Sequence, residues 1–309
     1  MKKTVLVTGA NGFIGKAFIR HFKEKYRFIG VDVIPNMGES LCSQFYCCSI
    51  CDTEKMAKIF VDNKVDIVIH TAAEKSLILC EQDKERAFET NYLATLELLG
   101  LAEQSKCKFI FISSDQVFDG SGSMYSENSY VNAINQYGKL KIFAEHQLLQ
   151  HSGAAICRTA LVFGEIPEEQ INYFKKVCLQ STLAVQGYIV QQTICCLREN
   201  RRLILPDDEF VSPTHVLLLA EQLDKVIENN VSGILHCCGK DCISRYEMGL
   251  CIAKHFNIEN IDCIIRRGEP NPLRPKNVSM DCTHTERLLQ MRFLSFSEML
   301  DKYMPEGSI

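Results

Sequence analysis

The sequence predicts an α/β fold in which a doubly wound parallel sheet is followed by a smaller C-terminal α/β lobe. Over the first half of the chain, short apolar runs alternate with helical stretches, as in a parallel sheet covered by helices on both faces. This rhythm changes after Gly164, where a long mixed segment extends to Asn200. We therefore predict a sheet domain over residues 1–164, with some segments returning from the C-terminal half, and a smaller lobe over most of residues 165–309.

Six runs of apolar and β-branched residues are predicted strands, at residues 4–8, 28–33, 45–50, 67–70, 109–113 and 155–158. Apolar residues at helical spacing predict helices between them, over 53–63, 81–104 and 136–150, and a further helix begins near Gly12. In the C-terminal lobe we expect helices over 215–228 and 244–256 and a strand over 233–238. Because strands and helices alternate, the sheet is expected to be Rossmann-like.

The composition is that of an ordinary globular protein, with 309 residues of which 46% are hydrophobic and 23% charged. The formal net charge of −4 argues against a nucleic-acid partner or an anionic membrane surface. No apolar run approaches the roughly 18 residues that a membrane helix needs, and no signal peptide or anchor is recognisable, so we expect no membrane partner. Small-molecule chemistry is the favoured class of function.

Sixteen cysteines are scattered through apolar segments, which favours a reduced, cytoplasmic protein over a disulfide scaffold. The densest cluster contains Cys42, Cys47, Cys48 and Cys51, and the last two have the two-residue gap of a zinc site. A second pair with this gap is missing from the sequence, and Cys in a buried strand behaves as a small hydrophobic residue. We therefore predict no metal site.

A glycine-rich turn joins the first predicted strand to the first helix. Gly9, Gly12 and Gly15 have the spacing G-x-x-G-x-x-G, which lets the backbone approach a pyrophosphate at the helix N-terminus. Asp32 ends the second apolar run, where a carboxylate accepts hydrogen bonds from ribose hydroxyls and repels a 2′-phosphate. This pattern predicts a dinucleotide site that favours NAD(H), while NADP(H) would need a compensating Lys or Arg. The turn residues between the glycines belong to the same predicted site: Asn11, Phe13 and Ile14.

Tyr137 and Lys141 are four residues apart near the start of a predicted helix and therefore lie on one helical face. An adjacent ammonium lowers the pKa of a tyrosine, which predicts that Tyr137 donates or accepts a proton near neutral pH. Ser114 follows the predicted strand at 109–113, at the edge where open α/β sheets bind ligands. We expect Ser114 to hold a carbonyl oxygen beside Tyr137 while a nicotinamide exchanges a hydride.

The glycine turn, the strand-end Ser114 and the Tyr-x-x-x-Lys pair together resemble the extended short-chain dehydrogenase/reductase superfamily, and the resemblance covers most of the chain. It implies that Ser49 and Ile50 lie by the adenine, where the superfamily has an Asp-hydrophobic pair. It also implies that Thr71, Ala72 and Ala73 belong to a segment that passes the nicotinamide side of the cofactor and contacts it. Asn91, on the next helix, is implied to contact the cofactor as well.

Within this superfamily, five segments are similar to dTDP-4-dehydrorhamnose reductases, namely residues 112–120, 157–164, 212–214, 245–248 and 274–281. Those enzymes reduce the C4 ketone of a nucleotide-linked deoxysugar. The resemblance implies that Tyr137 donates the proton, that Lys141 activates Tyr137 and anchors the ribose, and that Ser114 donates a hydrogen bond to the carbonyl. It further implies that the nucleotide-sugar substrate lies near Asp115, Gln116 and Arg274.

The sequence also departs from these reductases. Gln116 stands where they usually carry an aromatic residue, and the chain has no Trp, although they carry one in the segment that matches residues 159–163. These departures concern the identity of the sugar.

Three other activities occur on this fold. Nucleotide-sugar 4,6-dehydratases use an Asp-Glu pair after the strand-end hydroxyl, but here Gln116 replaces the second acid, and an amide cannot act as a base. A C4 epimerase uses the same Ser, Tyr and Lys with tightly held NAD. The β regulatory subunit of methionine adenosyltransferase resembles the chain in its fold, in segments 245–248 and 274–277 and in a dinucleotide site, but it acts by binding another enzyme. Relatives commonly form homodimers, which is a further option for this chain.

Overall fold

The structure, a computed structural model, describes residues 2–35, 41–166, 171–174, 176, 181 and 187–305. The chain forms two compact units. The first unit contains Met1–Phe118, Tyr130–Arg158 and Ala220–Leu235. The second contains Asp119–Ser129, Thr159–Leu219 and His236–Ile309. Segment Ala220–Leu235 thus returns to the first unit from the C-terminal half of the chain.

The described strands, in chain order, are β1 Thr4–Thr8, β2 Arg27–Asp32, β3 Gln44–Cys47, β4 Ile67–His70, β5 Lys108–Ser114, β6 Ala155–Thr159, β7 Val162–Phe163, β8 Leu203–Leu205, β9 Phe210–Val211, β10 Thr214–His215, β11 Gly233–His236, β12 Ile243–Ser244 and β13 Ile264–Arg266. The described α-helices are α1 Phe13–Phe22, α2 Thr53–Asn63, α3 Leu77–Gln82, α4 Lys84–Phe88, α5 Ala94–Gln104, α6 Gln136–Leu148, α7 Ile171–Tyr173, α8 Ile189–Arg198, α9 Val216–Glu228, α10 Arg245–His255, α11 Thr283–Leu289 and α12 Phe296–Tyr303.

Seven parallel strands form the sheet of the first unit, in the order β11-β6-β5-β4-β1-β2-β3. The order of connection reverses between β1 and β4, and Thr8 pairs in register with His70 at the carboxyl ends of these two neighbours. Open parallel sheets bind ligands outside the strand ends at such a reversal. The predicted Rossmann-like α/β fold is confirmed.

The core of the first unit lies between this sheet and its helices, because the strands are apolar on both faces. Strand residues Leu6, Val68 and Phe109 pack in one cluster with the helix residues Met56 and Leu98. Burial of these side chains stabilises the sheet, so that the polar residues at its carboxyl edge are held on a rigid base.

The stretch with a helical prediction over 81–104 is broken into several pieces. It contains the end of α3, then α4, a π-helical turn at Glu89–Leu93, and α5. The break between α3 and α4 falls at Asp83, whose side chain accepts a hydrogen bond from Arg86 N at 3.1 Å and caps α4. The uniform apolar spacing concealed this cap and the π-helical turn.

The second unit has mixed α/β structure with three two-stranded pairs among its described residues. β7 pairs with β10 and β8 with β13 in parallel, whereas β9 pairs with β12 in antiparallel orientation. Phe163 packs against His215 and Phe296 in its core. In neither unit does the described part of the chain contain a helix of the length and hydropathy needed to span a bilayer.

Candidate functional site

The glycine turn after β1 follows a path that side chains would obstruct. Gly9 has a φ of +68°, and a Cβ placed there would lie 2.7 Å from Thr71 Oγ1. A Cβ at Gly15 would overlap the carbonyl oxygen of Gly9. Gly12 precedes α1, whose N-terminus receives no side-chain cap. The turn is therefore compact, and backbone rather than side chain lines the start of α1.

Asp32, at the carboxyl end of β2, is tied to the glycine turn. Its carboxylate accepts hydrogen bonds from Asn11 N at 2.9 Å and from Ile34 N at 3.0 Å. The Asn11 side chain in turn donates to the carbonyl oxygen of Ile34 at 2.7 Å. The sequence predicts Asp32 as a ribose ligand alone, and the structure adds that it holds the turn and the loop after β2 together.

Two residues that follow β3, Ser49 and Ile50, begin the connection to α2. Ile50 is buried in the core, whereas Ser49 is exposed and accepts a hydrogen bond from Cys51 N at 3.1 Å. Ser49 is thus the accessible member of the pair that the resemblance places beside an adenine.

The segment after β4 is held from two sides. Thr71 Oγ1 donates to Thr8 O at 2.7 Å, which fixes the start of the segment against β1. Asn91, from the π-helical turn, accepts from Glu74 N at 2.8 Å and donates to Glu74 O at 2.9 Å. Ala72 and Ala73 lie between these attachments in the chain, and Ala72 N donates to Thr8 Oγ1 at 3.4 Å.

His70 is a buried residue at this edge that the sequence analysis missed. Its ring nitrogens contact Thr8 Oγ1 at 2.7 Å and Thr95 Oγ1 at 3.0 Å. Burial, together with the charge of Lys141, lowers the pKa of His70 to about 3, so the ring is neutral. The signal in the sequence is a histidine that ends an apolar strand.

Ser114, Asp115 and Gln116 form a tight turn at the carboxyl end of β5. Ser114 Oγ donates to Asp115 Oδ1 at 2.9 Å and accepts from Gln116 N at 3.2 Å. The Gln116 amide donates to Asp115 Oδ1 at 3.3 Å and accepts from Asn135 Nδ2 at 3.1 Å. The Ser114 proton is thus directed to Asp115, and the Gln116 amide is engaged at both of its ends.

The start of α6 is anchored at this turn. Asn135 caps the helix by accepting from Gly138 N at 2.8 Å, and Glu81 of α3 accepts from Gln136 N at 2.7 Å. Gly138 lies so close to Gln116 that a Cβ on it would overlap the Gln116 carbonyl oxygen. This approach places Tyr137 beside Ser114, close enough for Ser114 to act on the pKa of the phenol.

Lys141, one turn further along α6, is buried beneath Tyr137. Its Nζ donates to Ile112 O at 2.8 Å and lies 4.3 Å from the centroid of the Phe111 ring. Burial lowers the pKa of Lys141 to about 8, and this lowering is opposed by the nearby Glu145 and Cys80.

The expected lowering of the Tyr137 pKa by Lys141 is wrong for this arrangement. Burial, with the charge of Asp115, raises the pKa of Tyr137, and only the neighbouring Ser114 acts to lower it. The Lys141 ammonium lies 5.7 Å from the centroid of the Tyr137 ring and is directed to the Ile112 carbonyl. Tyr137 is therefore a neutral phenol across the neutral pH range.

The remaining predicted substrate residue, Arg274, belongs to the second unit, where its backbone N–H donates to Asn271 O at 3.0 Å. In the same unit Gly120 packs closely on Pro275, the residue that follows Arg274, because a Cβ on Gly120 would lie 2.6 Å from Pro275 Cβ. Tyr125 N also donates to Ser279 O at 2.9 Å, so segment 119–129, which follows the Ser114 turn in the chain, is hydrogen-bonded to segment 274–281, which contains Arg274.

The cysteine cluster lies around β3, the edge strand next to β2, and Cys48 and Cys51 flank Ser49 and Ile50. Cys47 and Cys51 are exposed, Cys48 is buried and Cys42 is partly buried. Within the described residues, no group of three or more His, Cys, Asp or Glu side chains could hold a metal ion.

The structure therefore brings two groups of predicted residues to one edge of the first unit. Strand ends of β1, β2 and β4 carry the glycine turn, Asp32 and Thr71, and the end of β5 carries Ser114 with Tyr137 and Lys141 beside it. A neutral phenol, a hydroxyl and an ammonium in this order can deliver a proton to an oxygen and stabilise the charge that remains.

Comparison with known proteins gives a family and a fold. The family described as RmlD substrate binding domain matches residues 1–308. Methionine adenosyltransferase 2 subunit beta from Xenopus laevis is 29% identical over 299 residues, with coverage of 93% of this chain and 82% of that protein. The probable low-salt glycan biosynthesis reductase Agl14 of Haloferax volcanii is 24% identical over 285 residues, with coverage of 91% of this chain and 90% of that protein.

Among solved structures, a dTDP-4-dehydrorhamnose reductase from Bacillus anthracis str. Ames in complex with NADP matches with a TM-score of 0.81. It is 22% identical in sequence, and the match covers 98% of each chain. At this identity the likeness shows a shared fold.

Proposed function

This chain belongs to the RmlD substrate binding domain family, and from that membership we propose that it is an NAD(P)H-dependent reductase of a nucleotide-linked 4-keto-6-deoxysugar. The observation that carries the proposal is the placement of Tyr137 beside Ser114, with the buried Lys141 ammonium 5.7 Å from the centroid of the phenol ring. These three side chains lie at the same sheet edge as the glycine turn, which is the arrangement that ketone reduction requires.

A reduced nicotinamide dinucleotide would supply the hydride. The glycine turn supports this ligand, because the absence of side chains there lets a pyrophosphate approach the backbone at the N-terminus of α1. Asp32 supports NAD(H) over NADP(H), since a carboxylate accepts hydrogen bonds from ribose hydroxyls and repels a 2′-phosphate. We assign further contacts with this ligand to Asn11, Phe13, Ile14, Ser49, Ile50, Thr71, Ala72, Ala73, Asn91 and Lys141.

Tyr137 is the proposed proton donor. Its raised pKa keeps the phenol protonated at neutral pH, so a proton is available when negative charge develops on the ketone oxygen. Lys141 is close enough to the ring to stabilise the phenolate that remains after the transfer.

Ser114 is the proposed hydrogen-bond donor to the ketone oxygen. Because its hydroxyl donates to Asp115 Oδ1 in this structure, it would exchange that acceptor for the ketone. Asp115 and Gln116 hold the turn on which Ser114 lies, and we assign them, together with Arg274, to the substrate.

The experiment that tests this function measures oxidation of NADH and NADPH by absorbance, with dTDP-, UDP-, GDP- and CDP-linked 4-keto-6-deoxysugars as substrates. Turnover with one of these sugars is expected, and Tyr137→Phe should reduce it by roughly 100-fold or more while cofactor binding is retained. Equal turnover in the variant would refute the role of Tyr137. Absence of oxidation with every sugar would refute the reductase.

One observation favours a second candidate, a dinucleotide-binding regulatory subunit. Over nearly the whole chain, the identity to methionine adenosyltransferase 2 subunit beta is higher than that to the Agl14 reductase. Tight binding of NADH without oxidation would support this role or that of a nucleotide-sugar epimerase, which causes no net oxidation. Interconversion of C4 epimers, followed by NMR, would separate the two.

A further inference from the structure

Helix α6 contacts the end of β5 at three successive turns. Tyr137, Lys141 and Glu145 are spaced four residues apart, so they lie on one face of the helix. Tyr137 lies beside Ser114, Lys141 Nζ donates to Ile112 O, and Glu145 accepts from Ser113 Oγ at 2.5 Å. Two consecutive residues of β5, Ile112 and Ser113, are thus each bonded to one residue of α6, and the third, Ser114, lies beside Tyr137.

Glu145 is the member of this series that the proposed function leaves without a role. It is almost completely buried, as is its partner Arg158 on β6. Arg158 Nε donates to Glu145 Oε1 at 3.0 Å, and Nη2 donates to Oε2 at 2.7 Å. The Arg158 guanidinium also lies 5.2 Å from the Phe118 ring centroid. A bidentate, desolvated pair of this kind has a fixed geometry.

We propose that Glu145 is a positioning residue for the Ser114, Tyr137 and Lys141 site. Paired with Arg158 and hydrogen-bonded to Ser113, it fixes α6 against the carboxyl end of β5 and favours the charged form of Lys141. The inference rests on the proposed function, because it concerns the same site. Its first consequence, the protonation of Lys141, is measurable without any substrate.

Lys141 is buried, so its charge depends on a small set of neighbours. Burial lowers its pKa to about 8, whereas Glu145 and then Cys80 act to raise it. The Cys80 pKa is itself raised to about 11 by burial, so this thiol is neutral near pH 8. Glu145 is therefore the carboxylate that supports the ammonium. The titratable and charged groups around Lys141 and its partner are Glu145 and Tyr137 on α6, Cys80 on α3, His70 on β4 and Arg158 on β6.

The test removes the charge of Glu145 and keeps the shape of its side chain. In the full chain labelled with ¹³C-lysine, the Cε signal of Lys141 is assigned by its loss in Lys141→Arg and followed by NMR against pH. Glu145→Gln is expected to lower the Lys141 midpoint by roughly 1 pH unit from a value near 8. With a sugar that the reductase accepts, kcat should fall roughly 10- to 100-fold with little change in KM for NADH.

The matched control is Asp224→Asn. Asp224 is a buried carboxylate of the same unit that accepts from Tyr26 Oη at 2.6 Å and pairs with Lys25. Tyr26 precedes β2, at the sheet edge opposite Ser114. This variant should leave the Lys141 midpoint and the pH dependence of kcat unchanged.

Three results would overturn the proposal. The first is an unchanged Lys141 midpoint in folded Glu145→Gln, and the second is an equal change in Asp224→Asn. If Glu145→Gln does not fold, Glu145→Asp keeps the charge on a shorter side chain and should give an intermediate midpoint. Unfolding of both Glu145 variants would be the third result, since it assigns this residue to structure alone. Absence of turnover with a lowered midpoint would instead reject the reductase and keep the electrostatic role.

Discussion

The proposed choice between NADH and NADPH depends on the single residue Asp32. Each oxygen of a carboxylate has about two acceptor positions. In Asp32 one position on each oxygen is used by a backbone N–H, of Asn11 and of Ile34. Acceptor positions therefore remain for ribose hydroxyls, and the negative charge remains to repel a 2′-phosphate.

We expect Asp32→Ala to weaken NADH binding by roughly 10-fold or more, because hydrogen bonds to a charged acceptor are lost. NADPH should be weakened less, because the repulsion of its 2′-phosphate is also removed. Isothermal titration calorimetry with both nucleotides measures the two dissociation constants. Asp66→Asn is the control, since Asp66 also accepts from a backbone N–H, that of Thr4 at 2.7 Å, but at the opposite sheet edge. Equal losses for the two nucleotides would contradict the ribose assignment.

At the residue scale, local spacing predicted some of the site but not its partners. The four-residue interval places Tyr137 and Lys141 on one helical face, and the strand end places Ser114 beside them. The Glu145–Arg158 pair and the neutral His70 could not be predicted, because each depends on contacts between distant segments. The prediction that the Tyr137 pKa is lowered was wrong for the same reason, because burial and the charge of Asp115 raise this pKa.

At the scale of elements, the position of α6 depends on Gly138. Alanine is preferred to glycine within a helix by about 1 kcal/mol. At Gly138, however, an added Cβ would overlap the Gln116 carbonyl oxygen and lie 2.7 Å from Ala133 Cβ. The steric cost of such overpacking, about 1–3 kcal/mol, exceeds the gain in helix propensity.

We therefore expect Gly138→Ala to lower the free energy of unfolding and to displace Tyr137 from Ser114, which reduces turnover. Gly100→Ala in α5 is the matched substitution, because nothing lies within 4 Å of a Cβ at that position. It should raise stability by up to about 1 kcal/mol and leave turnover unchanged. Urea unfolding followed by circular dichroism compares the two variants. Stabilisation by both substitutions would show that α6 can move away from Gln116 at little cost.

Helices and strands with regular apolar spacing could be located from the sequence, but interruptions could not. The helical stretch at 81–104 contains a cap at Asp83 and a π-helical turn that presents Asn91 to Glu74. Both devices use polar side chains whose partners are set by the fold. The irregular elements are thus the ones that hold the segment after β4.

At the scale of the whole molecule, each compact unit contains a buried histidine whose ring is neutral at neutral pH. His70 lies in the first unit between Thr8 and Thr95, and His215 lies in the second, stacked on Tyr303 with ring centroids 4.5 Å apart. Burial is the main cause that lowers the pKa of both histidines to about 3. The alternation of strands and helices predicted the fold of the first unit, but these solvent-excluded polar positions follow from tertiary packing.

The two histidines predict that acid destabilises both units. In the unfolded chain each ring takes up a proton near pH 6.5, whereas in the folded chain it stays neutral until about pH 3. Between these values the unfolded chain binds more protons, so the stability present above pH 6.5 is lost as the pH falls. The slope is about 1.4 kcal/mol per pH unit for each histidine. Ordinary carboxylates remain ionised in both states down to about pH 5 and contribute little to the slope above that value.

Urea unfolding at intervals between pH 7.5 and 5, followed by circular dichroism because the chain has no Trp, measures this dependence. His70→Asn and His215→Asn should each lower the slope by about 1.4 kcal/mol per pH unit, and the double variant should lower it by about twice that amount. The exposed His146 provides the control, because His146→Asn should leave the slope as it is. If the wild-type curve were flat between pH 6.5 and 5, the buried rings would have to be protonated in the folded protein.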